Sequence, residues 1–404
     1  MNRPLERIKV LDFSHVLAGP FATRILADMG ADVVRVNSEE RATGANDPES
    51  TYYVMWNRNK RSLALDMSVP ESRPICKSLA ETADVVIDNF SVGVLDRWGV
   101  GYDEVAKANP SVIYIEMSGM GDNGPWSNFV TYAPTIHALA GLTHLTGVPG
   151  REDIGIGFSY NDHQAGLHGA TAILAALEAR KRTGRGQRID VSQFEVGVNF
   201  AGPTLLDFFE NGTAARPTGN HLPYDDAAPH GCYPCAGPVS EDPADERWVA
   251  IACMMDTHWE ALKGVMGKPA WASDERFSTA AGRAAAAQEL DEHVATWTCT
   301  VSATEAMQTC QAAGVPAGVV QTSEDLVDHD VQNRHTGFLH EIAEEHPVLG
   351  RTFADKLPIR FDKTPCDAYE RSHMLGEDNA AVLNEWLGIS ADETSQLEGD
   401  GLLK

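Results

Sequence analysis

Residues 8–37 read IKVLDFSHVLAGPFATRILADMGADVVRVN, and this stretch decides the fold. It opens on a short apolar run and breaks at Gly19-Pro20. FATRILADMGA then carries apolar residues at helical spacing and stops at Gly30. ADVVRVN is a second short run with strand character. Strand, helix and strand in about thirty residues is the footprint of a βαβ unit, which implies a parallel sheet.

The alternation continues outward. RSLALDM (61–67) reads as a strand, PESRPICKSLAETA (70–83) as a helix and DVVIDNF (84–90) as a strand. VLDRWG and YDEVAKAN are short helices, and SVIYIEMSG (111–119) is a strand again. Buried β-branched runs separated by helices give an α/β fold through about residue 120. GMGDNGPW (119–126) is loop, TYAPTIHALAGLTHLTG (131–147) one helical run, and residues 148–161 a glycine-rich loop. A long helix runs from Asp162 to Gly184, and QRIDVSQFE leads from a strand into another helix. Residues 210–240, rich in Gly, Pro, Asn and His, read as a linker. RWVAIACM begins a second α/β region with helices near 256–266, 285–297 and 302–313 and a strand at AGVVQT. The chain is loop-rich from about 325 and closes with a helix at NAAVLNEWLG and an acidic tail.

Asp and Glu total 58 against 32 Lys and Arg, a formal net charge of -26 over 404 residues. So acidic a surface repels phosphate polymers and anionic bilayers, which argues against nucleic acid and membranes as partners. No run approaches the roughly 20 apolar residues of a membrane span. The N-terminus lacks the apolar core of a signal peptide. The seven cysteines are scattered; with Cys232 and Cys235 as the lone C-x-x-C, they suit a reducing cytoplasm and no metal site.

The turn after the first strand is Ala18-Gly19-Pro20, not the G-x-G-x-x-G of a dinucleotide site. P-loop, G-x-S-x-G and H-E-x-x-H motifs are also missing. Asp162, between a glycine-rich loop and a strong helix, reads either as an N-cap or as a carboxylate nucleophile beside amide donors. His163 and His168 lack a third metal ligand. N-R-N-K-R (57–61) is a compact basic cluster, either a solvated turn or a phosphate contact. Asn89-Phe90 follows a strand directly, where ligands of open α/β sheets bind.

VLDFSHVLAGPFATRILADMGADVVRV, NRNKRSLALDM, DVVIDNFSVGVLDRWGVGYDEV, NPSVIYIEMSGMGDNGPW, TGRGQRIDVSQFE, HGCYPCAG, WVAIAC, QAAGVPAGVV and LGEDNAAVLNEWLGIS together resemble, in order, the blocks of family III CoA transferases. The resemblance spans nearly the whole chain. It implies a Rossmann-like large domain (1–215, completed by 326–404) and a smaller α/β domain (216–325). It also implies two chains interlocked as a dimer. The implied reaction moves coenzyme A between an acyl-CoA donor and a carboxylate acceptor through covalent intermediates on Asp162. The implied CoA contacts are His15, Val16, Leu17, Ala18, Arg35, Leu63, Asn89, Phe90 and Arg97, with Lys60 in the same role. Tyr132 and His137 fall in the implied substrate pocket.

Two departures qualify the resemblance. The stretch GNHLPYDDAAPHGCYP lacks the glycine run of formyl-CoA transferases, and Leu17 stands where those enzymes have glutamine. Related racemases carry Gly-His-Asp where this chain has Thr131, Tyr132 and Ala133; His137, one turn on, is the nearest substitute. Racemase or isomerase, and one subunit of a heteromeric transferase, are the alternatives.

Overall fold

Six short strands form the main sheet: β1 (Lys9–Asp12), β2 (Asp32–Asn37), β3 (Arg61–Ala64), β4 (Val85–Asp88), β5 (Ile113–Glu116) and β6 (Gln187–Asp190). Their order is β3-β2-β1-β4-β5-β6, with every neighbouring pair parallel. The computed structural model describes residues 3–223, 227–237, 242 and 245–404. It divides into two compact units. The larger comprises residues 1–143, 155–214 and 332–404, and the smaller 144–154 and 215–331. The stretch 144–154, which the sequence reading leaves with the larger body, thus joins the smaller one.

The main sheet is covered on both faces, and the period-two pleat sorts its residues. Val10, Val33, Val85, Ile87, Ile113 and Ile115 share one core with residues of the helices Ala18–Asp28 and Tyr160–Thr183. Leu11, Val34, Leu63, Val86 and Tyr114 share the other with residues of Ser72–Thr82 and Asn379–Leu387. The C-terminal segment also covers the β3 edge. Asp378 Oδ2 accepts the Ser62 N–H at 2.7 Å, and Asn379 Oδ1 accepts that of Ala64 at 2.9 Å. An edge capped in this way offers no free ladder for another strand.

The long helix begins at Tyr160, two residues before the sequence reading places it. Ser159 is the N-cap residue and Asp162 lies inside the first turn, so the N-cap reading of Asp162 is corrected. Asp162, Ala165, Gly166, Gly169, Ala170 and Ile173 form the helix's buried stripe at helical spacing. The stripe's small residues allow close packing: a Cβ on Gly166 would lie 2.8 Å from the Ala18 carbonyl oxygen. Gly184, at φ 69°, ends the helix.

Local readings shift elsewhere. The run 131–147 is broken at Gly141 (φ 81°) into the helices Ala133–Leu139 and Leu142–Leu145. The loop-rich C-terminal stretch contains an antiparallel pair, β10 (Leu339–Glu341) with β11 (Phe353–Asp355). The acidic tail is itself a helix, Ala391–Gly399, with Ser390 and Glu393 forming a capping box.

In the smaller unit, β7 (His230–Pro234), β8 (Trp248–Ala252) and β9 (Ala317–Val319) form an antiparallel sheet in that order. The region read as a linker therefore includes a strand, while 224–226 and 238–240 of it lie outside the described residues. Trp259, Phe277, Leu290 and Val294 fill its core. The fully buried Arg283 donates to the carbonyls of Ala228 and Phe277 and to Asp256. All seven cysteines are free. Among the described residues no helix is long and apolar enough to cross a membrane.

Candidate active site

The chain runs outward from β1 through β2 to β3 on one side, and from β4 through β5 to β6 on the other. The switch point is therefore between β1 and β4, where open α/β sheets place their ligands beyond the strands' carboxyl ends. A cleft of about 540 Å³ in the larger unit is lined there by His15, Val16, Asn89, Phe90, Ser118 and Asp162, among others.

The loop after β1 is shaped by unusual backbone. Gly19 is obligatory in this packing, since an added Cβ would lie 2.1 Å from the Ser14 Cβ. Val16 adopts φ 62°, which costs a β-branched residue about 1–3 kcal/mol. Asn46 Oδ1 holds that strained peptide by accepting the Val16 N–H at 2.9 Å, and it also accepts from Arg35 at 3.2 Å. From the β4 side, Asn89 Oδ1 accepts the His15 N–H while Asn89 Nδ2 donates to the His15 carbonyl, both at 2.8 Å.

Asp162 enters the cleft from the first turn of the long helix. It is 8% exposed, and its Oδ2 has no hydrogen-bond partner among the described residues. Burial pushes its pKa up from 3.8 to about 6, opposed only by its own backbone N–H. The turn is anchored from below. Asn161 Nδ2 donates to the Gln193 carbonyl at 2.9 Å, and Gln193 Nε2 donates to the Met117 carbonyl at 2.8 Å. The Asn161 N–H donates to His137 Nε2 at 3.2 Å.

His137 is therefore a buried support of this turn and not part of the cleft lining. Burial lowers its pKa, keeping the ring a neutral acceptor. Tyr132, by contrast, is 68% exposed and lines the cleft. His163 Nδ1 lies 2.8 Å from the Ser159 carbonyl and His168 Nδ1 2.8 Å from that of Gln164, each one turn back along the helix. Among the described residues no group of three or more His, Cys, Asp or Glu side chains could hold a metal ion.

The expected CoA contacts separate into two groups. His15, Val16, Asn89 and Phe90 line the cleft. Leu17, Ala18, Arg35 and Leu63 are buried and do not. Arg97 is exposed on the short helix Val94–Arg97, of which Val94 lines the cleft. Lys60 is also buried: its ammonium donates to Asp12 Oδ2 at 3.2 Å, and to the Pro20 carbonyl and Asn57 Oδ1, both at 2.9 Å. Burial pushes Lys60 below its usual range, against the pull of Asp12.

The charged side chains of the basic cluster 57–61 all meet acidic partners elsewhere in the fold. Arg58 forms an ion pair with Asp28 at 2.7 Å and another with Asp355. Arg61 bonds Asp32 and Glu385. The cation that does reach the cleft is Arg41, unremarkable in the loop sequence SEERATG. Its guanidinium lies 4.6 Å from the Phe90 ring centre. Burial and the neighbouring Arg35 lower its pKa to about 10, which leaves it charged at neutral pH. His15 packs edge-on against Phe90 at 4.9 Å; burial, Arg41 and Arg35 lower it to about 4, so it is neutral.

The sequence model of CoA-transferase family III matches residues 5–379. The succinyl-CoA–D-citramalate CoA-transferase of Chloroflexus aurantiacus is 30% identical over 98% of this chain and 97% of its own length. A formyl-CoA:oxalate CoA-transferase of a Bradyrhizobium species is 29% identical over 100% of this chain and 98% of its own. The crystal structure of a CAIB/BAIF family protein from Brucella suis superposes with a TM-score of 0.83 at 30% identity, covering 96% of this chain and all of that one.

Proposed function

The chain belongs to CoA-transferase family III, and from that premise we propose that it moves coenzyme A between carboxylic acids through covalent intermediates on Asp162. The observation that carries this reading is the Asp162 carboxylate itself: nearly buried, with one oxygen unpartnered, in the cleft at the sheet's switch point.

Above pH 6 the carboxylate is ionised and poorly solvated, which favours attack. Its oxygen bonds to the donor's thioester carbon, the C–S bond breaks, and CoA leaves as thiolate. The thiolate attacks the aspartyl carbonyl of the mixed anhydride, releasing the donor acid and leaving CoA as a thioester on Asp162. The acceptor carboxylate attacks that thioester and frees the thiolate. The thiolate then takes the acceptor's acyl carbon, and Asp162 is regenerated. Both intermediates conserve the thioester's free energy, so water must be excluded.

CoA is bound in this reading by His15, Val16, Asn89 and Phe90, with Arg41 as the cation for a phosphate. Leu17, Ala18, Arg35, Lys60 and Leu63 shape the loops beneath, and Arg97 stands at the rim. Tyr132 contacts the acyl group. Succinyl-CoA is the first donor to test, as the name of one relative indicates, and dicarboxylates are the first acceptors, as the names of two indicate. An interlocked homodimer in a reducing cytoplasm completes the proposal, with a heteromer as the alternative assembly. What supports transfer over racemisation is His137, whose Nε2 already accepts the Asn161 N–H.

The test is trapping. The protein is incubated with succinyl-CoA and a panel of other acyl-CoA donors, treated with hydroxylamine and digested for mass spectrometry. A donor-dependent hydroxamate on the Asp162 peptide, missing in Asp162→Ala, is the expected result. Solvent deuterium entering the acyl α-carbon with no adduct would overturn it.

A further inference from the structure

We propose that the Ser118 hydroxyl donates the hydrogen bond that receives the acyl oxygen when Asp162 attacks a thioester. The proposal rests on the Asp162 reading and adds to it a second group acting on the reacting atoms.

Ser118 lines the same cleft as Asp162 and is 5% exposed. Its Oγ has no hydrogen-bond partner among the described residues. Buried hydroxyls are almost always satisfied, and one left alone carries its full desolvation penalty. Of the cleft-lining residues, Ser118 and Asp162 are the two with a buried side-chain oxygen in this condition. One is a donor and the other, when ionised, an acceptor-only anion.

That combination restricts what fits between them. A carboxylate ligand would answer Ser118 but be repelled by Asp162. A thioester carbonyl answers both, its electrophilic carbon turned to the carboxylate and its oxygen to the hydroxyl. As the C–S bond breaks and the new C–O bond forms, charge gathers on that oxygen, and the donor's contribution grows. Ser118 keeps its proton throughout, and the electron pair leaves with the thiolate.

The backbone that carries the hydroxyl is held before any ligand arrives. β5 delivers Met117 and Ser118 to the carboxyl edge of the sheet, where the Met117 N–H donates to the Asp88 carbonyl at 3.0 Å. The Gln193 N–H donates to the Ser118 carbonyl at 3.2 Å, and the Gln193 side chain holds the Met117 carbonyl. Gln193 thus sets the position of Ser118, and through Asn161 that of the turn bearing Asp162.

The experiment measures single-turnover formation of the hydroxylamine-trappable adduct from succinyl-CoA in wild type, Ser118→Ala, Ser118→Thr and Asp162→Asn, with the Kd for free CoA and the Tm of each. The expected result is an adduct rate about 100-fold lower in Ser118→Ala. CoA affinity stays unchanged and Tm does not fall, and Ser118→Thr, which keeps the hydroxyl, recovers most of the rate. A Ser118→Ala rate within threefold of wild type overturns the proposal and leaves the Asp162 reading standing. So does a slow Ser118→Ala that Ser118→Thr does not rescue. No adduct in wild type, or an undiminished one in Asp162→Asn, removes the Asp162 reading and the role of Ser118 with it.

Discussion

Asn89 holds His15 from both directions, accepting its N–H and donating to its carbonyl, each at 2.8 Å. The two residues are 74 positions apart in sequence and belong to the strand ends on either side of the switch point. Because one side chain supplies both an acceptor and a donor, aspartate cannot replace it. In Asn89→Asp the second oxygen would face the His15 carbonyl without a proton between them. Losing one such bond and gaining the repulsion predicts a roughly tenfold rise in KM for the acyl-CoA donor, about 1.4 kcal/mol. Steady-state kinetics of Asn89→Asp and Asn89→Ala check this, and Asn89→Asp is expected to be the worse of the two.

The raised pKa of Asp162 links activity to stability with opposite signs. Attack needs the ionised form, so kcat/KM for the donor is expected to fall on the acid side with a midpoint near pH 6. For folding, a carboxyl raised from 3.8 to about 6 contributes its full stability below 3.8 and loses it as pH rises through 6. At pH 7 the ionised group then costs up to about 3 kcal/mol. Asp162→Asn is expected to abolish turnover and yet raise Tm at pH 7, with the gain vanishing toward pH 4. A pH series of thermal melts on both proteins measures it.

Lys60 and Arg41 should separate cleanly in experiment. Lys60→Met leaves Asp12 buried with Ser14 and Thr23 as hydrogen-bond partners but without its nearest cation. Removing one partner of a buried pair costs about 3–5 kcal/mol, so the midpoint of urea unfolding should drop sharply. The CoA affinity of the protein that remains folded should be unchanged. Arg41→Ala is the converse: a CoA Kd raised about tenfold, with a weaker salt dependence, and little change in urea midpoint.

Two glycines make a matched pair. Gly166→Ala drives a methyl group to 2.8 Å from the Ala18 carbonyl oxygen and the Phe21 ring, so backbone as well as side chain must shift. A loss of about 1–3 kcal/mol is expected, with reduced turnover, because the helix that moves carries Asp162. Gly264, in the helix Asp256–Val265 of the smaller unit, has nothing within 4 Å of an added Cβ. Gly264→Ala should therefore stabilise, by up to about 1 kcal/mol. Chemical denaturation of both variants tests the contrast.

The sequence by itself determined what local pattern encodes. The β-branched runs at 32–37, 85–88 and 113–116 and the helices between them define a parallel sheet. Asn89 directly follows a strand, and Asp162 opens a long helix after a glycine-rich loop. Each of these is legible because one short window contains its cause. Only the tertiary structure decided which charges meet. The cluster 57–61 is basic in every local window, yet Arg58 finds Asp28 and Asp355 and Arg61 finds Asp32 and Glu385, partners up to 324 positions away. Arg41, in a loop with no periodicity, ends over Phe90 in the cleft instead. His137 carries no sign in sequence that its ring will accept the Asn161 N–H, and Ser118 none that its hydroxyl will be buried alone. Pairing and burial depend on which segments the fold brings within a few ångströms, and chain separation does not specify that.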